Sequence, residues 1–125
     1  MLHLALPQTL AQGFPLFFAL LFGHALADYP LQGEFLALHK NRHYKDPNRD
    51  FPPGLWVHCL LNHSLIHAGF VWLISGSMIL GLMELVLHAV IDFIKCEKIT
   101  SYNTDQALHV TCKLLYVVLM VQGWV

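Results

Sequence analysis

Four long apolar segments follow one another along the chain: Leu10–Ala27, Leu55–Ile74, Met78–Ile94 and Ala107–Val121. Each is at or a little below the ~20 residues that carry a helix across a bilayer core. Thr9 followed by Gln12 reads as a capping box opening the first helix, which Gly13 and Pro15 are expected to kink or delay. Pro30 disfavours helical geometry at Tyr29 and should stop that helix near Asp28. Gly33–His39 suits a short helix, and Lys40–Gly54, the one strongly polar stretch, reads as a loop. Pro52 and Pro53 fit the entry to a second long helix over about Leu55–Ser75. Gly76–Ser77 makes a tight connection to a third, ending near Cys96, and Asn103 and Gln106 are the expected caps of the fourth. The predicted fold is all-α: a polytopic membrane protein with a four-transmembrane-helix bundle and a short interfacial helix after the first span.

The apolar segments are broken by ionisable residues, and the breaks are periodic. Glu84, His88 and Asp92 recur every fourth residue, as do His24 and Asp28, His63 and His67, and Asp105 and His109. Positions four apart on a helix differ by only ~40° around its axis, so each set forms a polar stripe. A stripe of this kind on a greasy helix needs partners inside a bundle.

Composition sharpens this picture. Of 125 residues, enough for a single domain, 56% are hydrophobic and only 12% charged, with a mean hydropathy of +0.53. That leaves too little polar surface to clothe a soluble bundle. The net charge of −1 gives no bulk attraction to nucleic acid. No basic segment precedes the first apolar run, so a secretory signal peptide is not expected. Cys59, Cys96 and Cys112 have no paired spacing and read as free, structural thiols. Lys40, Arg42, Lys45, Arg49, Lys95 and Lys98 flank two connections, whereas the termini and the 75–77 turn carry no Lys or Arg. The positive-inside rule then places both basic connections in the cytoplasm and both termini outside.

With that topology every polar pair falls in the cytoplasmic half. His24, His63, His88 and His109 lie roughly 6–12 Å below the cytoplasmic helix ends, and Asp28, Asp92 and Asp105 ring a mouth above them. A carboxylate at the bilayer centre costs ~2.5–3.5 kcal/mol, so such groups face inward and are paired. Neutral imidazole and carboxylate are standard ligands for a divalent cation. His24, Asp28, His63, His67, His88, Asp92 and His109 are therefore candidate metal ligands, with zinc favoured and two ions conceivable. Asp28, Asp92 and Asp105 are the candidate catalytic carboxylates. The plainer alternative is a hydrogen-bonded polar core. Glu84 and Lys113, at similar depth, are expected to pair with each other or with His67 below the ligands, while His58 reads as a satisfied core residue. His3, His39 and His43 read as solvated.

His24-Ala-Leu-Ala-Asp28-Tyr-Pro-Leu-Gln32, His63 and His67, His88-Ala-Val-Ile-Asp92-Phe-Ile-Lys95 and Asp105-Gln106-Ala-Leu-His109 together resemble domain-of-unknown-function family 3307. The resemblance runs from about Leu10 to Val121 and implies a small multi-pass bacterial or phage membrane protein with a polar core, without a reaction. It adds Gln32 and Gln106 to the core set, where they would brace the ligands as Glu84 and Lys113 would from below. His58, Glu84 and Lys113 have no counterpart in its pattern.

Two functions follow from these residues. One is a metal-dependent hydrolase open to the cytoplasmic face, whose basic rim draws in a phosphate-bearing membrane lipid or other anionic substrate. The other is a non-catalytic membrane module that acts through a protein partner or a second copy of itself. A metal or proton transporter would need polar groups in the outer half, which holds only Gln12, Ser75, Ser77 and Gln122. The topology has a direct test: single cysteines in loop 40–54 should label only from the cytoplasmic side, and a cysteine after Val125 only from outside. The reverse pattern would invert the orientation.

Overall fold

The computed structural model describes residues 6–125, so His3 lies outside it. Among the described residues there are five helices and no strand: α1 (Leu10–Asp28), α2 (Gly33–His39), α3 (Leu55–Ser75), α4 (Met78–Cys96) and α5 (Tyr102–Val121). The four long helices close a ring in the order α1, α3, α4, α5 and back to α1, and α2 packs on α3 alone. Helices facing each other across the ring, α1 with α4 and α3 with α5, do not pack directly. The space between them belongs to side chains.

Local chemistry explains the boundaries. The Thr9 hydroxyl accepts from the Gln12 N–H at 3.2 Å, opening α1, while the Gln12 side chain accepts from the Gln8 N–H. The helix starts at Leu10 and runs on through Pro15, so neither Gly13 nor Pro15 delays it. It ends at Asp28, as Pro30 requires. Gly76, at φ 75°, closes α3 in the left-handed region, and Ser77 caps α4 through the Leu80 N–H. The fourth long helix differs from expectation. Ser101 is its N-cap, accepting from the Thr104 N–H at 3.1 Å, and α5 begins at Tyr102, ahead of the expected cap Asn103. A hydroxyl two residues before Asn103 takes the capping role, which frees Gln106 to point into the bundle.

Two helices, α1 and α3, are long and apolar enough to cross a membrane. The other two long helices carry more ionisable residues: Glu84, Asp92 and Lys95 on α4, Asp105 and Lys113 on α5. All of these except Lys95 are buried inside the ring, and the outer faces of α4 and α5 show Leu82, Val86, Val90 and Leu114 instead. On α1, Phe14, Phe18 and Phe22 stand exposed at four-residue intervals. One end of the bundle is an ordinary apolar core of Leu16, Leu20, Val71, Leu80, Tyr116 and Val117. The polar residues occupy the other end.

Close helix approach depends on small residues. A Cβ on Gly81 would meet the Ala68 carbonyl oxygen at 3.2 Å and the Trp72 Cβ at 3.0 Å. Backbone cannot yield as a flexible side chain can, so Gly81→Leu should destabilise the bundle by about 1–3 kcal/mol. At Gly69 an added Cβ meets nothing within 4 Å, and Gly69→Ala should gain roughly 0.5–1 kcal/mol from helix propensity. Thermal unfolding of both variants in detergent checks the pair. A Gly81→Leu midpoint equal to wild type would mean that α3 and α4 can part freely.

Candidate metal centre

Each long helix sends inward the stripe its sequence spaces four apart. His24 and Asp28 come from the last two turns of α1, His63 and His67 from the middle of α3, Glu84, His88 and Asp92 from α4, and Asp105, His109 and Lys113 from α5. His63, His88, His109, Glu84, Asp92, Asp105 and Lys113 are at most 1% exposed, and Asp28 is 10% exposed at its side chain. The rings of His24, His67, His88 and His109 assemble into one cluster. His67 and His88 stack with centroids 3.6 Å apart, His88 and His109 at 4.2 Å, and His24 lies 5.1 Å from His109.

Asp28 sits among three imidazoles. Its Oδ1 is 3.3 Å from His63 Nε2 and 3.2 Å from His67 Nε2, and its Oδ2 is 3.4 Å from His24 Nε2. Gln106 donates to Oδ2 at 3.0 Å, and its own carbonyl oxygen lies 3.4 Å from His24 Nε2. Gln32, from the segment after α1, bonds the Asp28 main-chain oxygen. Asp92 has a different set of neighbours. Lys40 donates to its Oδ2, while Oδ1 faces His109 Nε2 at 3.3 Å and Lys95 at 3.8 Å. Lys95 also stands 3.5 Å from Asp105.

Beneath the cluster, Glu84 organises a second layer. Lys113 donates to its Oε1 at 2.6 Å and the Tyr116 hydroxyl to its Oε2 at 2.8 Å, while His88 Nδ1 lies 3.2 Å from Oε1. A carboxylate can only accept, so Nδ1 of His88 carries the hydrogen and its Nε2 presents a bare lone pair. That nitrogen is buried without a hydrogen-bond partner, as are Nδ1 of His63 and of His67, whose Nε2 atoms face carboxylate oxygens alone. An unpaired buried polar group costs ~1–3 kcal/mol, and several in one place call for a common partner. Ligand atoms of Asp28, His63, His67 and His88 all lie within 4.8 Å of one another, as do those of His24, His88 and His109, and of Asp92, Asp105 and His109. The first group matches a divalent cation best, because three imidazoles converge there on Asp28 and no ammonium group lies within ion-pair distance of that carboxylate. In the third group Lys40 and Lys95 already supply positive charge.

The structure departs from the sequence reading at the rim. Asp92 and Asp105 do not stand around an open mouth: both are at most 1% exposed, under Lys40 and Lys95. Lys40 leaves the polar loop for the interior, where it is 4% exposed and bonded to Gln32 and Asp92. His39 is packed among Phe35, Tyr44 and Phe51 and is not solvated. His67 is no deeper accessory, since it shares Asp28 Oδ1 with His63. His58 is exposed and is not a core residue, because it lies on the α3 face turned away from His63, and His43 lies at the surface against Glu97. Arg42 forks onto Glu97 with 2.7 and 2.8 Å bonds, and this holds the Glu97 carboxyl below its usual range. The three cysteines are free.

A family model described as a protein of unknown function (DUF3307) matches residues 16–124, and the chain belongs to that family. Comparison with curated proteins gives no match, and neither does comparison with solved structures.

The Glu84–Lys113 pair makes a measurable demand. Glu84→Gln leaves a buried ammonium without its carboxylate and should cost roughly 3–5 kcal/mol, whereas Glu84→Gln combined with Lys113→Met should recover most of that loss. Thermal unfolding in detergent measures both. Equal loss in the single and double variants would show that Lys113 does not depend on Glu84.

Proposed function

We propose that this DUF3307 member spans a bacterial inner membrane four times and holds one divalent metal ion, zinc by preference, as a metal-dependent hydrolase. The observation that carries this is the convergence of His63, His67 and His88 with Asp28, from three helices, with the Nε2 atoms of all three turned toward carboxylate oxygens. Three imidazoles are a fitting set for a catalytic zinc, with the fourth position left to water and Asp28 beside it. Four spans are supported by helix lengths of 19 to 21 residues, about 30 Å each, and by apolar outer faces on all four.

Orientation follows from charge. The Arg42–Glu97 pair brings the 40–54 loop and the α4–α5 connection to one end of the bundle, so the basic residues of both share one side of the membrane. In our reading that side is the cytoplasm and both termini are outside. The metal centre lies at this end, and Arg42, Lys45, Arg49 and Lys98 around it favour an anionic substrate such as a phosphate-bearing lipid.

The groups of the centre divide the work. A divalent ion held there would polarise a carbonyl or phosphoryl oxygen and acidify water. Asp28, the least buried carboxylate, is the base. Gln106 fixes its orientation, and Glu84 fixes the tautomer of His88.

Elemental analysis of the full chain purified in detergent tests the reading. Wild type should hold about one zinc-like ion per chain, and His67→Ala and His88→Ala should lose it while keeping their helical circular dichroism. A well-folded wild type without metal, even after reconstitution, would replace the hydrolase with a hydrogen-bonded polar core and a module that acts through a protein partner.

A further inference from the structure

Asp92 and Asp105 are covered in this structure, and one buried lysine takes part in covering them. Helix α2 contains no buried residue and touches no long helix except α3. It begins at Gly33, whose φ of 62° glycine adopts without strain, and Lys40 is its C-cap. Phe35, His39, Tyr44 and Phe51 pack against one another within α2 and the loop after it, so this segment coheres by itself. Two groups of contacts hold it to α4. One is at the surface, where Arg42 and His43 meet Glu97 and Arg42 lies over the Phe93 ring, contacts of a class that contributes little. The other is Lys40, 4% exposed, whose ammonium lies on Asp92 Oδ2 and, at 2.6 Å, on Gln32.

The oxygen that Lys40 holds is also an oxygen of the metal seat. Asp92 Oδ2 lies 3.4 Å from His63 Nε2 and 3.8 Å from His88 Nε2, two of the nitrogens that converge with Asp28. Charge sets the two cations against each other. The buried carboxylates Asp28, Glu84, Asp92 and Asp105 face the ammonium groups of Lys40, Lys95 and Lys113, which leaves one negative charge while the imidazoles are neutral. A divalent ion would turn this into one surplus positive charge in an apolar bundle, and departure of Lys40 would cancel it. Lys40 is the only one of the three ammonium groups borne outside a long helix.

We propose that Lys40 and a divalent ion are alternative occupants of Asp92, so that metal entry releases Lys40, makes Asp92 a further ligand and frees α2 as a lid. This rests on the metal reading above, but the latch itself can be tested without metal.

The experiment uses the full chain in detergent: wild type, Lys40→Met, Asp92→Asn and the double variant. Zn²⁺ affinity is measured by chelator competition, and hydrogen exchange is followed over residues 33–40. Without metal, Lys40→Met should exchange faster than wild type across α2; equal protection would overturn the latch. Adding Zn²⁺ to wild type should speed exchange of α2, and Lys40→Met should bind Zn²⁺ about tenfold more tightly. That gain should vanish when Asp92 is Asn, because the competition is for that carboxylate. Tight Zn²⁺ binding by wild type with α2 unchanged or slower would overturn the exchange while leaving the metal centre intact. Absence of Zn²⁺ binding in all four proteins would overturn the metal centre and the exchange together, with the metal-free comparison still deciding the latch.

Discussion

Four carboxylates inside an apolar bundle are the constraint to which the rest of the structure answers. Each would be prohibitive alone. Glu84 is offset by Lys113 and Tyr116, Asp92 by Lys40 and His109, and Asp105 by Lys95. Asp28 has only imidazoles and an amide, which is why it marks the place for a cation. The same network fixes how each helix is turned. The sequences of α1 and α3 are greasy on nearly every side, so apolar packing alone selects no rotation; a turn of one residue, ~100°, would carry His63 and His67 out of the centre.

The outer surface obeys the opposite demand. Phe14, Phe18, Phe22, Leu65, Val86 and Val90 point outward, and the polar atoms point in. This inversion suits a surrounding solvent of hydrocarbon, in which the interior need not be the most apolar part. Contact between helices is then made by close approach at glycine, as where Gly81 meets the Ala68 carbonyl.

Much of this arrangement was legible in the chain because two periods coincide. Apolar runs of nearly membrane length gave the four long helices within a few residues, and ionisable groups four apart gave their inward stripes. The Glu84–Lys113 pair followed from depth alone. What the sequence hid depends on long-range contact. Lys40 looks like one more charge in a polar loop, and nothing local tells it apart from Lys45; only its 52-residue reach to Asp92 does. Asp92 and Asp105 looked like a rim because depth was counted along single helices, which cannot reveal what closes over them. Gln106 was legible as a residue with a role, but its role as a cap lost to Ser101, whose hydroxyl reaches Thr104. The apolar measure of α4 and α5 is diluted by the very residues that their burial conceals.

The ring of helices has a consequence for how the protein is made. Synthesis runs from the N-terminus, and α1, α3 and α4 together contain no ammonium group that reaches Glu84. Lys113 and Tyr116 both arrive with α5, as do the His109 partner of Asp92 and the Gln106 that orients Asp28. A chain made only through α4 therefore holds an acid without its counter-charge between apolar helices. Arrival of the last helix cancels that charge and completes the centre in the same step, so a chain that has lost α5 announces its own truncation.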